Sequence, residues 1–118
     1  MNRIDRGFTL LELMVVIMIL GVLATVAINL TLRLQERAYV NVLQSDLSSA
    51  YKASIAFHMD HPGQAVDKAE LQQYGYRPSA KVSLEVIDGF EETLLLRASR
   101  PGVTGVYEID STGRVIEP

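Results

Sequence analysis

An uncharged apolar run near the start of the chain most restricts how this sequence can fold. The run covers 20 consecutive residues, from Leu13 to Leu32. A helix of about 20 apolar residues spans the hydrocarbon core of a bilayer, which is roughly 30 Å thick. Because the run is apolar on every side, it predicts a helix that crosses a membrane or is buried in a bundle.

The composition of the whole chain argues against several classes of function. The chain has no cysteine and a formal net charge of −3. It therefore has no disulfide framework, no thiolate nucleophile, no cysteine-ligated metal and no basic field for nucleic acid. A small exported domain without disulfides needs another source of stability, and packing against copies of itself is one.

A short positive leader precedes the apolar run. Residues 1–7 carry two arginines and one aspartate, so the positive-inside rule keeps them in the cytoplasm. One interpretation is a secretory signal peptide with "ATVA" as its cleavage site, which would release a soluble binding domain after Ala27. A plain transmembrane anchor is a second interpretation. Neither explains Glu12, because a carboxylate in an apolar setting is costly without a partner.

A third interpretation comes from a family resemblance. The stretch "RGFTLLELMVVIMILGVLA" (6–24), with its Gly-Phe-Thr-Leu-x-Glu core, resembles the N-terminal signature of type IV prepilins and type II secretion pseudopilins. The resemblance implies that a membrane-embedded prepilin peptidase cuts between Gly7 and Phe8 and then N-methylates Phe8. It also implies a structural subunit, not an enzyme, that polymerises into a type IV pilus. A pseudopilus of type II secretion is the close alternative.

The same resemblance implies where the protein resides and what it contacts. The subunit would be a single-pass inner-membrane protein before assembly and part of a cell-surface pilus afterwards. Its partners would be copies of itself, the prepilin peptidase, an inner-membrane platform and an assembly ATPase. No cofactor, metal or nucleic acid is expected.

Glu12 has a specific place in this interpretation. It lies four residues after Phe8, one turn further along the same face of a helix. In a helical stack of copies, the Glu12 carboxylate would meet the α-ammonium group of Phe8 on a neighbouring subunit. The simpler alternative is a carboxylate near a helix end that reaches the lipid headgroups.

The sequence predicts one long helix from about residue 8 to residue 59. The first proline is Pro62, and helix-forming residues dominate before it. The pattern changes from apolar to amphipathic at Arg33. Beyond that point, residues spaced by three and four form one stripe that predicts packing on a sheet: Val40, Leu43, Leu47, Ala50, Tyr51 and Ser54.

One departure from the usual pilin pattern concerns the middle of the apolar run. Many family members have a proline where this chain has Asn29, and their helix commonly opens in filaments between that point and a glycine that corresponds to Gly21. Here Gly21, Thr25 and Asn29 weaken the helix, but no proline breaks it.

The C-terminal half predicts a small antiparallel sheet, which makes the fold α+β. Residues 58–68 have a loop pattern, and Asp67 is placed to cap a short helix over residues 68–73 with Glu70 three residues later. Segments 81–87, 93–99, 106–110 and 114–117 predict three or four strands. The chain thus divides into a leader (1–7), a membrane or filament-core helix (8–32) and a remainder (33–118) of amphipathic helix and sheet.

No candidate catalytic set emerges from the remaining polar residues. Three nearby residues have side chains that can be metal ligands: His58, Asp60 and His61. Their spacing is not that of a zinc site, so a solvated loop is predicted. Residues 110–113 lack the acidic positions of a calcium loop and predict a hairpin turn. The aromatic residues along the helix predict packing between subunits and against the sheet, rather than a path for electrons: Phe8, Tyr39, Tyr51 and Phe57.

Overall fold

The computed structural model describes residues 9–118 and has an α+β architecture, as the sequence predicts. A single helix of 51 residues comes first, followed by a short helix and a four-stranded sheet. The elements are α1 (Leu10–Asp60), α2 (Lys68–Gln73), β1 (Ser83–Asp88), β2 (Leu95–Ser99), β3 (Tyr107–Asp110) and β4 (Val115–Ile116).

The chain divides into two compact units, and α1 contributes residues to both. The first unit ends at Gln35, and the second is Glu36–Pro118. The described residues of the first unit are all exposed, whereas the second unit has a buried core. The boundary lies close to Arg33, where the sequence changes from uniformly apolar to amphipathic.

The sheet is an antiparallel meander in the order β1-β2-β3-β4. Leu84 pairs with Ala98, and Leu96 pairs with Ile109, which places these four buried side chains on one face. The register shifts between Val86 and Asp88 at a bulge near the end of β1. Alternation of buried and exposed residues therefore directs one face of the sheet into the core of the second unit.

The helical stripe predicted from the sequence supplies the other side of this core. Leu43, Leu47, Ala50 and Ser54 are buried, and Tyr51 packs against the core as a partly buried residue. The stripe is wider than predicted, because further residues of α1 are buried on the same side: Asp46, Ala53, Phe57 and His58.

The predicted loop at 58–68 is wrong in its first three positions, because α1 continues through Asp60. Phe57 is 1% exposed and His58 is 5% exposed, so both are held against the core and extend the helix. The helix then ends before Pro62, since a proline disfavours helical backbone in the residue that precedes it. The predicted cap of α2 is confirmed, since Asp67 Oδ1 accepts a hydrogen bond from the Glu70 backbone N–H at 2.8 Å.

The turn between β3 and β4 is organised by Asp110, as the hairpin prediction requires. Its Oδ1 accepts hydrogen bonds from the Thr112 hydroxyl at 2.6 Å, the Thr112 N–H at 2.9 Å and the Arg114 N–H at 3.1 Å. The bond from the Thr112 hydroxyl is the main reason why the pKa of Asp110 lies below its usual value. Gly113 has a φ of 81° and lies against the Tyr51 ring, so both backbone conformation and space favour glycine there.

Candidate functional site

The described chain begins with a side-chain cap on α1. Thr9 immediately precedes the helix, and its Oγ1 accepts a hydrogen bond from the Glu12 backbone N–H at 3.2 Å. Its carbonyl oxygen accepts the Leu13 N–H at 3.1 Å. Thr9 is thus the N-cap and Glu12 the third helical residue, which is the spacing of a capping box. The Thr-x-x-Glu pattern was visible in the sequence, but the interpretation of Glu12 as an assembly residue overlooked it.

Glu12 is placed in the first turn of α1, where a carboxylate complements the positive end of the helix dipole. Its side chain forms no hydrogen bond or ion pair with any other residue of the described range 9–118. Gly7 and Phe8 lie outside that range. The predicted cleavage site and the predicted pairing of Phe8 with Glu12 therefore remain predictions.

The apolar half of α1 exposes its side chains around the whole helix. An 18-residue window of this helix has a mean hydropathy of 2.7 and none of it is buried, so it is long and apolar enough to cross a membrane. Leu10 is 76% exposed and Met18 is 68% exposed. Apolar surface of this extent marks a site that lipid or other protein covers.

The two threonine hydroxyls inside this apolar segment are satisfied by the helix itself. The Thr25 hydroxyl donates to the Gly21 carbonyl oxygen at 2.9 Å, and the Thr31 hydroxyl donates to the Ala27 carbonyl oxygen at 2.9 Å. Such bonds let a hydroxyl enter an apolar medium without an unpaired donor. The helix is continuous through Gly21 and Asn29, so the weakening residues do not interrupt it in the single subunit.

Comparison with known proteins identifies the family of this segment. A model of the prokaryotic N-terminal methylation motif matches residues 2–28. The type IV major pilin protein PilA of Myxococcus xanthus is 34% identical over 86 residues, or 67% of this chain. The type IV wide pilus major component PilA4 of Thermus thermophilus is 29% identical over 126 aligned residues, or 98% of this chain. The type II secretion system core protein G of Klebsiella pneumoniae is 38% identical over 77 residues, or 65% of this chain.

The chain belongs to the family of type IV pilins and type II secretion pseudopilins. It spans 39% of the length of the Myxococcus pilin and 55% of the Klebsiella protein. It spans 96% of the Thermus pilin. The matched motif contains Thr9 and Glu12 of the described helix start, together with Gly7 and Phe8 before it.

The histidines near the end of α1 differ from their predicted environment in this pilin-family chain. His58 is buried in the helix instead of lying in a solvated loop. Asp60 and His61 contact Tyr74, whose hydroxyl donates to Asp60 Oδ2 at 2.8 Å and lies 3.4 Å from His61 Nδ1. Within residues 9–118, no three side chains of His, Cys, Asp or Glu form a metal-binding group.

Three aromatic side chains of α1 pack within the second unit, as predicted: Tyr39, Tyr51 and Phe57. Packing between subunits stays a prediction, and Phe8 lies outside the described residues. The guanidinium group of Arg100 lies 3.5 Å from the centre of the Tyr39 ring. The Tyr51 hydroxyl donates to the Ser111 carbonyl oxygen at 3.2 Å. Phe57 stacks on His61 with 4.7 Å between ring centres. The contacts of Tyr39 and Tyr51 hold the loops at Arg100 and Ser111 on the helix in the second unit.

Proposed function

We propose that the protein is a structural pilin subunit that polymerises into a type IV pilus. The observation that carries the proposal is the exposed apolar half of α1, which begins within a motif matched over residues 2–28. Such a helix needs lipid around it in the free subunit and other helices around it in a polymer. The proposed role is mechanical and does not involve catalysis.

The proposed maturation uses the residues immediately before the helix. A prepilin peptidase removes residues 1–7 by cutting between Gly7 and Phe8, and Phe8 is then N-methylated. The match to a methylation motif supports this step.

The proposed assembly step depends on Glu12. Its carboxylate has no hydrogen-bond or ion-pair partner in the described part of the subunit. Burying a carboxylate in an apolar helix bundle costs free energy unless an opposite charge lies beside it. The α-ammonium group of Phe8 on a neighbouring copy supplies the opposite charge. Residues 8–32 thereby form the membrane span of the free subunit and the core of the filament, and residues 33–118 supply the amphipathic half of the helix and the small β domain.

The proposed location follows from the same helix. The subunit resides in the inner membrane with one span before assembly and enters a surface pilus afterwards. Its further partners are the peptidase, an inner-membrane platform and an assembly ATPase. The name and near-complete overlap of the Thermus pilus component support this choice.

A pseudopilin of type II secretion is the second candidate. The 38% identity with the Klebsiella core protein G supports it, although the chain spans only 55% of that protein. Both candidates share processing and polymerisation and differ in the machine that uses the filament. A preparation of filaments sheared from the cell surface distinguishes the pilin from the pseudopilin. A pilus extends from the cell, whereas a pseudopilus acts within the envelope.

The experiment that tests the proposal is mass spectrometry of the mature N-terminus in the native host, followed by a sheared-filament preparation. The proposal expects a first residue of N-methylated Phe8 and a filament fraction that contains the protein. An N-terminus at Ile28 would instead indicate an exported domain released after Ala27 by signal peptidase. An uncut chain that begins at Met1 would indicate a plain membrane anchor.

A further inference from the structure

The connection between α2 and β1 holds two cations on a fixed loop. This basic loop (residues 77–81) contains Arg77 and Lys81, which are both exposed. Ser79 in the loop donates its hydroxyl and its N–H to the buried Asp46 carboxylate of α1. Lys81 has a φ of 64°, which glycine adopts with less strain, so a charged side chain stands where the backbone favours none. The loop therefore presents its two cations from an anchored backbone.

The turn between β1 and β2 has the opposite charge. This acidic turn (residues 88–92) contains Glu91 and Glu92, which are both exposed. Its backbone is held at the start, where the Phe90 N–H donates to Asp88 Oδ1 at 3.0 Å. The Phe90 ring is 53% exposed among these acidic residues. The turn thus offers an apolar ring together with carboxylates.

The basic loop and the acidic turn do not neutralise each other within one subunit. Strand β1 lies between them, and its six residues extend over roughly 20 Å. The side chains of Arg77, Lys81, Glu91 and Glu92 form no hydrogen bond or ion pair with other residues of the described range 9–118. Both charged surfaces are therefore available to a partner outside the subunit.

The two surfaces also lie at different levels along α1. The basic loop is bound at Asp46, whereas Glu91 lines a small cavity together with Ser54 and His58 of α1. These levels are separated by roughly two to three helical turns, or about 12 to 18 Å at 1.5 Å per residue. A second copy displaced along α1 would bring its basic loop to the level of the acidic turn of the first.

We propose that the basic loop of one subunit binds the acidic turn of a neighbouring copy. The cations of the loop meet the carboxylates of the turn, and the exposed Phe90 ring packs on the Arg77 guanidinium group. Because the two surfaces differ, the contact is heterologous and repeats in one direction, as in a helical polymer. The inference rests on the proposed polymerisation, and it gives the second unit a role in fixing the position of each subunit relative to the next.

Paired cysteines test the contact, because the chain has no cysteine of its own. Filaments are sheared from cells that express Lys81→Cys together with Glu91→Cys, oxidised, and separated on a non-reducing gel. A disulfide needs Cα atoms within about 7 Å, so these positions at opposite ends of β1 do not bridge within one subunit. The expected result is a ladder of covalent multimers, since each subunit is joined to the next on both sides.

Two controls show whether the ladder depends on the proposed pair. Each single-cysteine variant should give nothing larger than a dimer, because one cysteine joins only two chains. Lys52→Cys together with Glu91→Cys should give no ladder, since Lys52 is an exposed lysine of α1 outside the basic loop.

Charge reversal tests whether the contact contributes to assembly. Lys81→Glu and Glu91→Lys should each lower the yield of sheared filaments by at least about threefold, because like charges then meet at every subunit. The two reversals combined should restore the yield. Lys52→Glu and Glu117→Lys, at other exposed positions, should keep the parental yield. Circular dichroism of each full-length variant in detergent micelles reports folding.

The inference is overturned if oxidised filaments of the paired cysteine variant contain no ladder. It is also overturned if both folded reversals keep the parental yield, or if their combination assembles no better than either alone. A parent chain that forms no filaments would instead contradict the proposed function, and the inference would fall with it.

Discussion

Asp46 holds Ser79 through both of its carboxylate oxygens. Oδ1 accepts a hydrogen bond from the Ser79 hydroxyl at 2.6 Å, and Oδ2 accepts one from the Ser79 backbone N–H at 2.9 Å. The Tyr76 hydroxyl lies 3.4 Å from Oδ2. Because Asp46 is 4% exposed on α1, this buried carboxylate fixes the segment between α2 and β1 on the helix.

Asp46→Ala should therefore destabilise the second unit strongly. The substitution leaves the Ser79 N–H and hydroxyl without their acceptor, and a hydrogen bond to a charged group contributes about 1.5 to 3 kcal/mol. We expect the free energy of unfolding to fall by about 3 kcal/mol. Urea unfolding of the full chain in micelles, followed by circular dichroism, measures this. The control is Ser45→Ala at the exposed neighbouring position, which should change the free energy of unfolding by less than about 0.5 kcal/mol. Equal effects of Asp46→Ala and Ser45→Ala would contradict the role of Asp46.

Tyr76 should make the second unit sensitive to alkali. Burial raises the pKa of Tyr76, and the negative charge of Asp46 raises it further. The raised pKa contributes fully to stability below about pH 10, which is the pKa of a tyrosine hydroxyl in the unfolded chain. The contribution decreases as the pH rises above this value, because the hydroxyl ionises first in the unfolded chain. Tyr76→Phe should flatten the decline of the unfolding free energy between about pH 9 and about pH 11. Tyr107→Phe serves as the control, and a decline that is unaltered by Tyr76→Phe would count against this assignment.

The sequence predicted those parts of the fold that depend on local patterns. Leu43 and Leu47 lie on a stripe with helical spacing, and Asp67 precedes a helix with Glu70 at the capping position, so each could be assigned without knowing its neighbours. Asp46 was missed, because its partner Ser79 is 33 residues away in the chain and a polar residue does not fit an apolar stripe. His58 was missed for a different reason, since a histidine close to Asp60 and Pro62 has the local composition of a loop.

The second unit should fold without the apolar half of α1. Residues 36–118 form a compact unit with its own hydrophobic core and four paired strands. Expressed alone, this fragment should be soluble and melt cooperatively with a modest stability of a few kcal/mol, as expected for a small domain without disulfides. Calorimetry and circular dichroism measure the transition. A broad, non-cooperative melt would show that the core needs the rest of the helix.

Gly7→Val should block maturation. A branched side chain next to the proposed scissile bond obstructs the approach of the peptidase to the backbone, so the precursor should accumulate in the inner membrane. Immunoblotting of membrane fractions distinguishes precursor from mature length. Gly7→Ala, which adds one methyl group, should be processed more than the valine variant. Mature protein at parental levels from Gly7→Val would refute cleavage at this position.

Glu12→Ala should permit membrane insertion and cleavage but prevent filament assembly. The variant keeps the Thr9 cap, because the Glu12 group that bonds Thr9 is its backbone N–H. It loses a favourable interaction with the helix dipole, which contributes only about 0.3 to 1 kcal/mol. In a filament it would leave the Phe8 ammonium group buried without a partner, and breaking a buried pair costs on the order of 3 to 5 kcal/mol.

That cost recurs at every subunit of a polymer whose contacts propagate in one direction, so the yield of sheared filaments should fall to near zero. A membrane-fraction blot in parallel should show normal amounts of mature subunit. Glu36→Ala is the matched control, since it removes the same side chain from α1 beyond the apolar run, and it should assemble normally. Glu12→Gln keeps hydrogen bonding without charge and should assemble in part. Parental filament yield from Glu12→Ala would instead favour a carboxylate that only reaches the lipid headgroups.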